Sequence, residues 1–483
     1  MKKILFGCFV AVLGIAVLGS CKKDPGKLSF EVPEEMSFEV APGATEVFGF
    51  EIKNQAGASL DVFAEYEGTE YDAKASVSED GHSIELEVTA PDIVFEESEF
   101  VVTITVKDPA NGRVFEQPVT VKGLLPDNFQ AFDVAANCFI VKPGAFAKIP
   151  MLKGNSTEKI DGAKAGLVWQ DAKGLVEKVL VHDGAIFVVL KPQTEGNAVV
   201  SAISADDKIL WNWTLWVTDC DPEANPINYT YPPAEGAPVQ YVIMGRELGA
   251  TGEVLGTDAV IGNFYEWGRN TGFAGSTLEL AVYKKMYDID GNEIARKVEA
   301  CANIDNTQYG IENPMVHFSG VGNGNYSWIT TDFVNEGFDQ EAFKARWGGA
   351  KKGLYDPCPA GWKVGEAAAY GFLTNADVIA DANTQKVFKG ESTANVDFLG
   401  WNVAVGGKTY AFPARGEVAH GGALSMNVGA SGYAYGRIWT TTPDTFANKS
   451  YFRMGVIGIS TQKINNTGNY NAGYELGVRC VKE

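Results

Sequence analysis

The sequence predicts a mainly β protein, with two N-terminal β-sandwich modules followed by a larger, loop-rich α+β piece. Three observations carry this. Short runs of alternating apolar and polar residues recur through the first half of the chain, which is the period of half-buried strands. The 54 glycines among 483 residues mark many turns between short strands. A composition 45% hydrophobic and 21% charged supports proper cores and excludes a disordered chain. The formal charge of −21 also excludes a nucleic-acid partner, because a phosphate backbone would be repelled.

Residues 1–20 read as a signal peptide. Lys2 and Lys3 precede the apolar run Ile4 to Leu18, which is too short for a comfortable membrane span. The run closes with Leu18-Gly19-Ser20-Cys21, which resembles a bacterial lipobox, so Cys21 is the expected lipid acceptor. An ordinary secretory signal with an incidental Cys21 is the alternative. Residues 21–26 then form a tether.

Residues 27–125 form the first module. Strand runs such as Ser83 to Val88 and Phe100 to Val106 alternate cleanly, and roughly seven runs in this length suggest an immunoglobulin-like sandwich. It holds 21 acidic and 6 basic residues between Lys27 and Lys122, which reads as a solvated surface rather than a cation site. Residues 126–222 form a second sandwich module. Its closing strand places Ile209, Trp211, Trp213, Leu215 and Val217 on one face, and Asn212, Thr214, Trp216 and Thr218 on the other. The tryptophan face is expected to be core rather than a sugar platform. Cys138 and Cys220 flank this module, and a disulfide staple between them is plausible.

After a proline-rich link, residues 239–483 lose regular pattern. Short helices are expected near Asp339 to Trp347, with Asp339 as N-cap, and near Glu366 to Leu373. The four histidines, His82, His182, His317 and His420, show no metal or catalytic spacing. H-E-x-x-H, G-x-S-x-G and nucleotide loops are absent, so no cofactor or metal is expected. Asp288 to Glu293 reads as a hairpin turn rather than a calcium loop. Glu266, Glu312, Asp356, Glu366 and Glu417 could supply a glycosidase pair, but nothing in sequence joins any two. Cys138, Cys220, Cys301, Cys358 and Cys480 lack C-x-x-C spacing. They allow two disulfides and an odd thiol, or buried free thiols throughout.

The last piece carries VIMGRELGA at 242–250, FYEWGR at 264–269, DPCPAGWKV at 356–364, FPARG at 412–416 and GVRCVK at 477–482, and these segments resemble the Fibrobacter succinogenes major paralogous domain. Residues 242–250 (VIMGRELGA) are similar to its MDRNLGA opening and 264–269 (FYEWGR) to its YQWGR. Residues 356–364 (DPCPAGWKV) are similar to DPCPAGWRVP, with Gly365 where proline is usual. Residues 412–416 (FPARG), 431–433 with 438–441, and 477–482 (GVRCVK) follow in the family's order. The preceding module, with ANCFIV at 136–141 and WNWTLWVTDCDP at 211–222, is similar to one found before this domain in Bacteroidetes surface lipoproteins. The resemblance implies a C-type-lectin-like fold for 239–483. It also implies a disulfide from Cys358 to the last strand at Cys480, worth at most about 4 to 5 kcal/mol by loop-closure entropy. Two separate buried thiols are the alternative. The calcium site of true C-type lectins is not carried over, because Glu312-Asn313-Pro314 is scrambled and Trp401-Asn402-Val403 lacks the acid.

The resulting expectation is a noncatalytic lipoprotein, anchored to the outer membrane by its lipid and exposed at the cell surface. It would bind a glycan or surface protein through Trp401, Asn402, Asn427, Tyr433 and Tyr435, taken as loop residues, and could associate with other pilus or surface subunits. A glycan hydrolase and a purely structural pilus subunit are the rival readings. Replacing Cys21 by alanine should move the protein from the membrane fraction to the soluble fraction. Retention of the Cys21→Ala variant in membranes would refute the anchor.

Overall fold

In a computed structural model, the structure describes residues 29–32, 38–53, 59–279, 281–301, 305–319, 327–329, 340–414, 416–425, 434–443 and 453–483. Cys21, Asp339, Asn427 and Tyr433 lie outside them. The fold is mainly β and divides into two compact units, residues 1–129 and 130–483.

In the first unit, two four-stranded sheets enclose one core. One has Thr45–Lys53 and Ser83–Thr89 at its centre; the other is built on the long hairpin Ser98–Asp108 and Arg113–Gly123. The alternation expected of Ser83–Thr89 is realised: Ile84, Leu86 and Val88 are fully buried among Phe50, Val102, Ile104 and Val121. The hairpin turns because the Asp108 carboxylate accepts from the Ala110 amide at 2.9 Å and the Asn111 side chain at 3.0 Å, while Gly112 takes φ +69°.

The second unit is organised by a six-stranded sheet. Its order is Cys138–Val141, Ile209–Val217, Gly196–Ile203, Lys164–Gln170, Met286–Tyr287, Glu293–Ile294. The first four strands come from the 126–222 module and the last two from the 239–483 piece, so the two segments share one sheet. Trp211, Trp213, Leu215 and Val217 fill a core against the second sheet of the module, with Ile149, Ile186 and Val188. The opposite face is buried as well. Trp216 and Cys138 join a separate core with Met244, Tyr265, Trp267, Trp362 and Trp439. A strand covered on both sides has apolar residues at both phases, which is why ILWNWTLWV is nearly continuous in hydrophobicity. Asn212 reaches across the seam: its side-chain amide donates to the Ile311 carbonyl at 2.8 Å, and the Asn270 side chain donates to the Asn212 backbone carbonyl at 3.0 Å.

The rest of the second unit consists of small sheets. Val239–Ile243 pairs with the last strand Cys480–Lys482, which also pairs with Trp362–Val364. Two three-stranded sheets, Gln385–Phe388 with Phe398–Val405 and Lys408–Pro413, and Tyr435–Pro443 with Arg453–Ser460 and Ile464–Asn471, lie beside a four-stranded sheet of Tyr265–Glu266, Glu475–Leu476, Glu417–Val418 and Leu424–Ser425 and the parallel pair Lys297–Ala300 and Val316–Ser319. Helices are short: Gln340–Lys344, and a kinked 3-10 segment Ala367–Thr374 where a helix was expected. Asp288 accepts from the Asn292 backbone and side chain, closing a hairpin between Met286–Tyr287 and Glu293–Ile294.

Cys358 and Cys480 are bridged. The expected Cys138–Cys220 staple is not formed; both thiols are free. The parallel register explains this. Cys138 lies opposite Thr214 and Val141 opposite Val217, so Cys138 is three residues, roughly 10 Å, back from the strand end that Cys220 follows. A disulfide needs Cα atoms within about 7 Å.

Because both faces of Ile209–Val217 are core, Trp216→Ala should destabilise the second unit by about 3–5 kcal/mol. Residues 130–483 should still melt in one transition. Chemical denaturation followed by tryptophan fluorescence and far-UV circular dichroism checks this, and two separate transitions would contradict the shared wall.

Candidate functional site

The motif segments of the second unit converge on the backbone of residues 265–269. Gly268 adopts φ +86°, a left-handed conformation that a residue without a Cβ takes without strain, so this segment is an irregular turn. Indole N–H groups then anchor it: Trp439 donates to the Tyr265 carbonyl at 2.7 Å, Trp328 to Trp267 at 2.7 Å, and Trp347 to Arg269 at 3.0 Å. Trp267 donates in turn to the Thr440 carbonyl at 3.2 Å. These tryptophans are almost wholly buried, so they fix the irregular backbone and offer no stacking face.

Beside this frame is a buried charged cluster of Glu266, Arg269, Arg296, His317 and Glu475. Glu266 and Glu475 come from the paired strands Tyr265–Glu266 and Glu475–Leu476, and His317 from Val316–Ser319. His317 Nδ1 is 2.8 Å from Glu475 Oε1 and 3.6 Å from Glu266 Oε1. Arg269 pairs with Glu266 and donates to the Val316 carbonyl at 2.6 Å; Arg296 pairs with Glu475 and donates to the Ala274 carbonyl at 3.1 Å. Burial pushes the Glu266 carboxyl up despite Arg269 and His317. Burial acts the same way on Glu475, but Arg296 and His317 outweigh it and hold its pKa below the ordinary value.

A second buried pair lies nearby. Glu417 pairs with Arg437 and accepts from the Tyr435 hydroxyl at 2.9 Å, and the Arg437 guanidinium stacks between the Tyr435 and Tyr470 rings at 4.1 and 4.0 Å. A small hollow opens between Glu247, Ile261, Phe264, Pro413, Gly416, Gly436 and Arg437. Burial pushes the Glu247 carboxyl up to about 7, with Arg479 opposing.

The carboxylates considered for hydrolysis are scattered. Glu266 and Glu417 carry arginines. Asp356 accepts from the Cys358 and Val364 amides at 2.9 and 2.8 Å. Glu312 accepts from Gln308, and Glu366 from Tyr241. Sequence reasoning missed Glu475, which faces Glu266 across His317. A glycosidase needs its pair in a cleft that admits a sugar, whereas Glu266 and Glu475 are both 0% exposed. Among the described residues no group of three or more His, Cys, Asp or Glu could hold a metal ion.

Of the expected ligand-binding residues, the three that lie within the described residues, Trp401, Asn402 and Tyr435, are in strands rather than loops. Trp401 and Asn402 belong to the strand Phe398–Val405; Trp401 is buried and its indole donates to the Ser460 carbonyl at 2.8 Å. Tyr435 opens the strand Tyr435–Pro443 and is buried on Glu417. A strand with both faces covered leaves these rings no ligand-facing side. Of the three described, only Asn402 is partly exposed.

No family model matches the chain, and no curated protein matches it. Solved structures to which it is similar include the D00-D0 domain of Intimin, at 17% identity, covering 39% of this chain and 96% of that one, with a TM-score of 0.19. A titin immunoglobulin tandem matches at 13% identity, 39% and 96% coverage, and a TM-score of 0.16. The SrpA adhesin of Streptococcus sanguinis matches at 16%, 39% and 92%, and 0.15. TM-scores this low carry no argument about function.

Burial alone would lower the pKa of His317, but the carboxylates of Glu266 and Glu475 outweigh it and hold it above the ordinary value. A histidine raised in this way stabilises the fold while protonated. The contribution is complete below about pH 6.5, its unfolded value, and is lost as pH rises through the higher folded value. His317→Gln should therefore cost about 3 kcal/mol at pH 6, as expected for breaking a buried ion pair. The deficit should shrink toward alkaline pH in thermal melts of the two proteins. A deficit independent of pH would contradict a charged His317.

Proposed function

We propose that the chain is a noncatalytic surface lipoprotein, anchored to the outer membrane through Cys21, whose C-terminal half is a C-type-lectin-like head of the Fibrobacter succinogenes major paralogous class. It binds a glycan or surface-protein ligand in the manner of an adhesin or fimbrial-tip component. The observation that carries this reading is how the head uses its ionisable groups. Arg269 donates to the carbonyls of Gly310, Asn313, Pro314 and Val316 as well as to Glu266. Arg346 grips the Gly268 carbonyl at 2.9 Å and the Thr307 hydroxyl at 3.0 Å. Charges spent on holding irregular backbone make a rigid frame for displayed loops, and they are not free to act as acid or base. The order of lipobox, sandwich modules and head along the chain supports tethering and display. The pairing of Val239–Ile243 with Cys480–Lys482 brings the ends of the head together, which suits a domain carried on a stalk.

The ectodomain, residues 22–483, should bind saturably to at least one class of glycan or host protein on arrays and should release no reducing sugar from polysaccharides. Reducing-sugar release abolished by replacing a single Asp or Glu within 239–483 would overturn the noncatalytic reading.

A further inference from the structure

We infer that Cys138 is an alternative disulfide partner of Cys358, forming a bridge between the six-stranded sheet and the head before Cys480 is in place, and that Cys480 then displaces it. Three sulfurs are gathered in one apolar core: Cys138, Cys358 and Cys480 are each essentially unexposed within the same cluster. Cys138 is bridged in parallel to Pro359, the residue after Cys358. Neighbouring strands lie about 5 Å apart, which is the spacing of Cys138 and Pro359; one residue of rise along the chain puts the Cys358 Cα about 6 Å from that of Cys138, within the roughly 4.4–6.8 Å that a disulfide spans, and both side chains enter the same core.

The contacts that set this approach do not involve the last strand. The Asn137 side chain donates to the Leu354 and Asp356 carbonyls, both at 2.9 Å. Lys352 Nζ donates to the Cys358 and Pro359 carbonyls at 2.7 and 2.6 Å. They can form while Cys480 is still unplaced. Cys480 reaches Cys358 only when the last strand pairs with Trp362–Val364, where Val364 lies opposite Cys480. Cys301 also borders the core, but its sulfur is engaged by the Trp328 carbonyl and the Asn306 amide at 3.3 Å each.

The chemistry balances in two steps. In the first, the Cys138 and Cys358 thiols give two electrons and two protons to a small disulfide oxidant, which leaves as two thiols. In the second, the Cys480 thiolate attacks Sγ of Cys358, the bond to Cys138 breaks, and its electron pair leaves on the Cys138 sulfur, which takes up a proton. The second step needs no oxidant. Closure of the core then pushes the Cys138 thiol up to about 12 by burial, so it no longer competes as a thiolate.

The test is oxidative refolding of the reduced mature chain in a glutathione redox buffer, quenched by alkylation at intervals and mapped by peptide analysis without reduction. The Cys138–Cys358 peptide should appear before the Cys358–Cys480 peptide and then decay. In Cys480→Ser it should persist and exceed every other Cys358 pairing about tenfold. Alkylated Cys358 in that variant, or a preference for Cys220 or Cys301, overturns the inference. Cys138→Ala provides a check that does not depend on Cys480→Ser folding. It should slow formation of the Cys358–Cys480 bridge several-fold, and an unchanged rate overturns the displacement step.

Discussion

The second unit depends on one strand being buried on both faces. Ile209–Val217 sends Trp211, Trp213, Leu215 and Val217 into the core of its own sandwich and Trp216 into the core of the following half. Apolar burial at both phases leaves the side-chain amides here little solvent, so they donate within the protein. Asn212 donates to Ile311, and Asn137 to Leu354 and Asp356 while accepting from the Trp211 indole at 3.0 Å. The result is a sandwich and a head that cannot be separated without exposing a tryptophan-rich surface.

With that wall in place, the head can be built with little regular structure. Backbone groups outside helices and strands still need partners when buried. Here indoles and guanidiniums supply them, with Trp267, Trp328, Trp347 and Trp439 each donating to a carbonyl and Arg269 serving several at once. Burying so many charges is costly unless each is paired. The pairing of Arg269 with Glu266, Arg296 with Glu475 and Arg437 with Glu417 meets that condition. In each, a carboxylate on a short strand neutralises the arginine while the guanidinium stacks on or donates to its surroundings. Specific donors in specific directions hold these loops in one conformation, which a purely apolar core would not do.

The same economy explains why aromatic residues that looked available for ligand stacking are not. Trp401 and Tyr435 each combine a ring in the core with a polar tip that already has a partner, the Ser460 carbonyl and the Glu417 carboxylate. In the described parts of the head, aromatic side chains act as amphipathic fasteners. Recognition, in the proposed reading, belongs to loop tips rather than to these rings.

The sequence alone determined what depends on local chemistry. Period-two alternation marked Ser83–Thr89 and Ile209–Val217 as strands, because successive side chains must point to opposite faces. The Asp288 to Asn292 turn was legible because an aspartate, a glycine and an asparagine at that spacing close a hairpin by themselves. The Cys358–Cys480 bridge came from family resemblance rather than from spacing. Tertiary structure decided everything that joins distant segments. Alternation shows that Trp216 faces away from Trp213, but not that residues from 244 onward cover it. The Arg296–Glu475 and His317–Glu475 contacts span more than 150 residues, with no local pattern to announce them. Whether Cys138 could meet Cys220 was set by the parallel register of two strands, a property of the sheet and of neither strand alone.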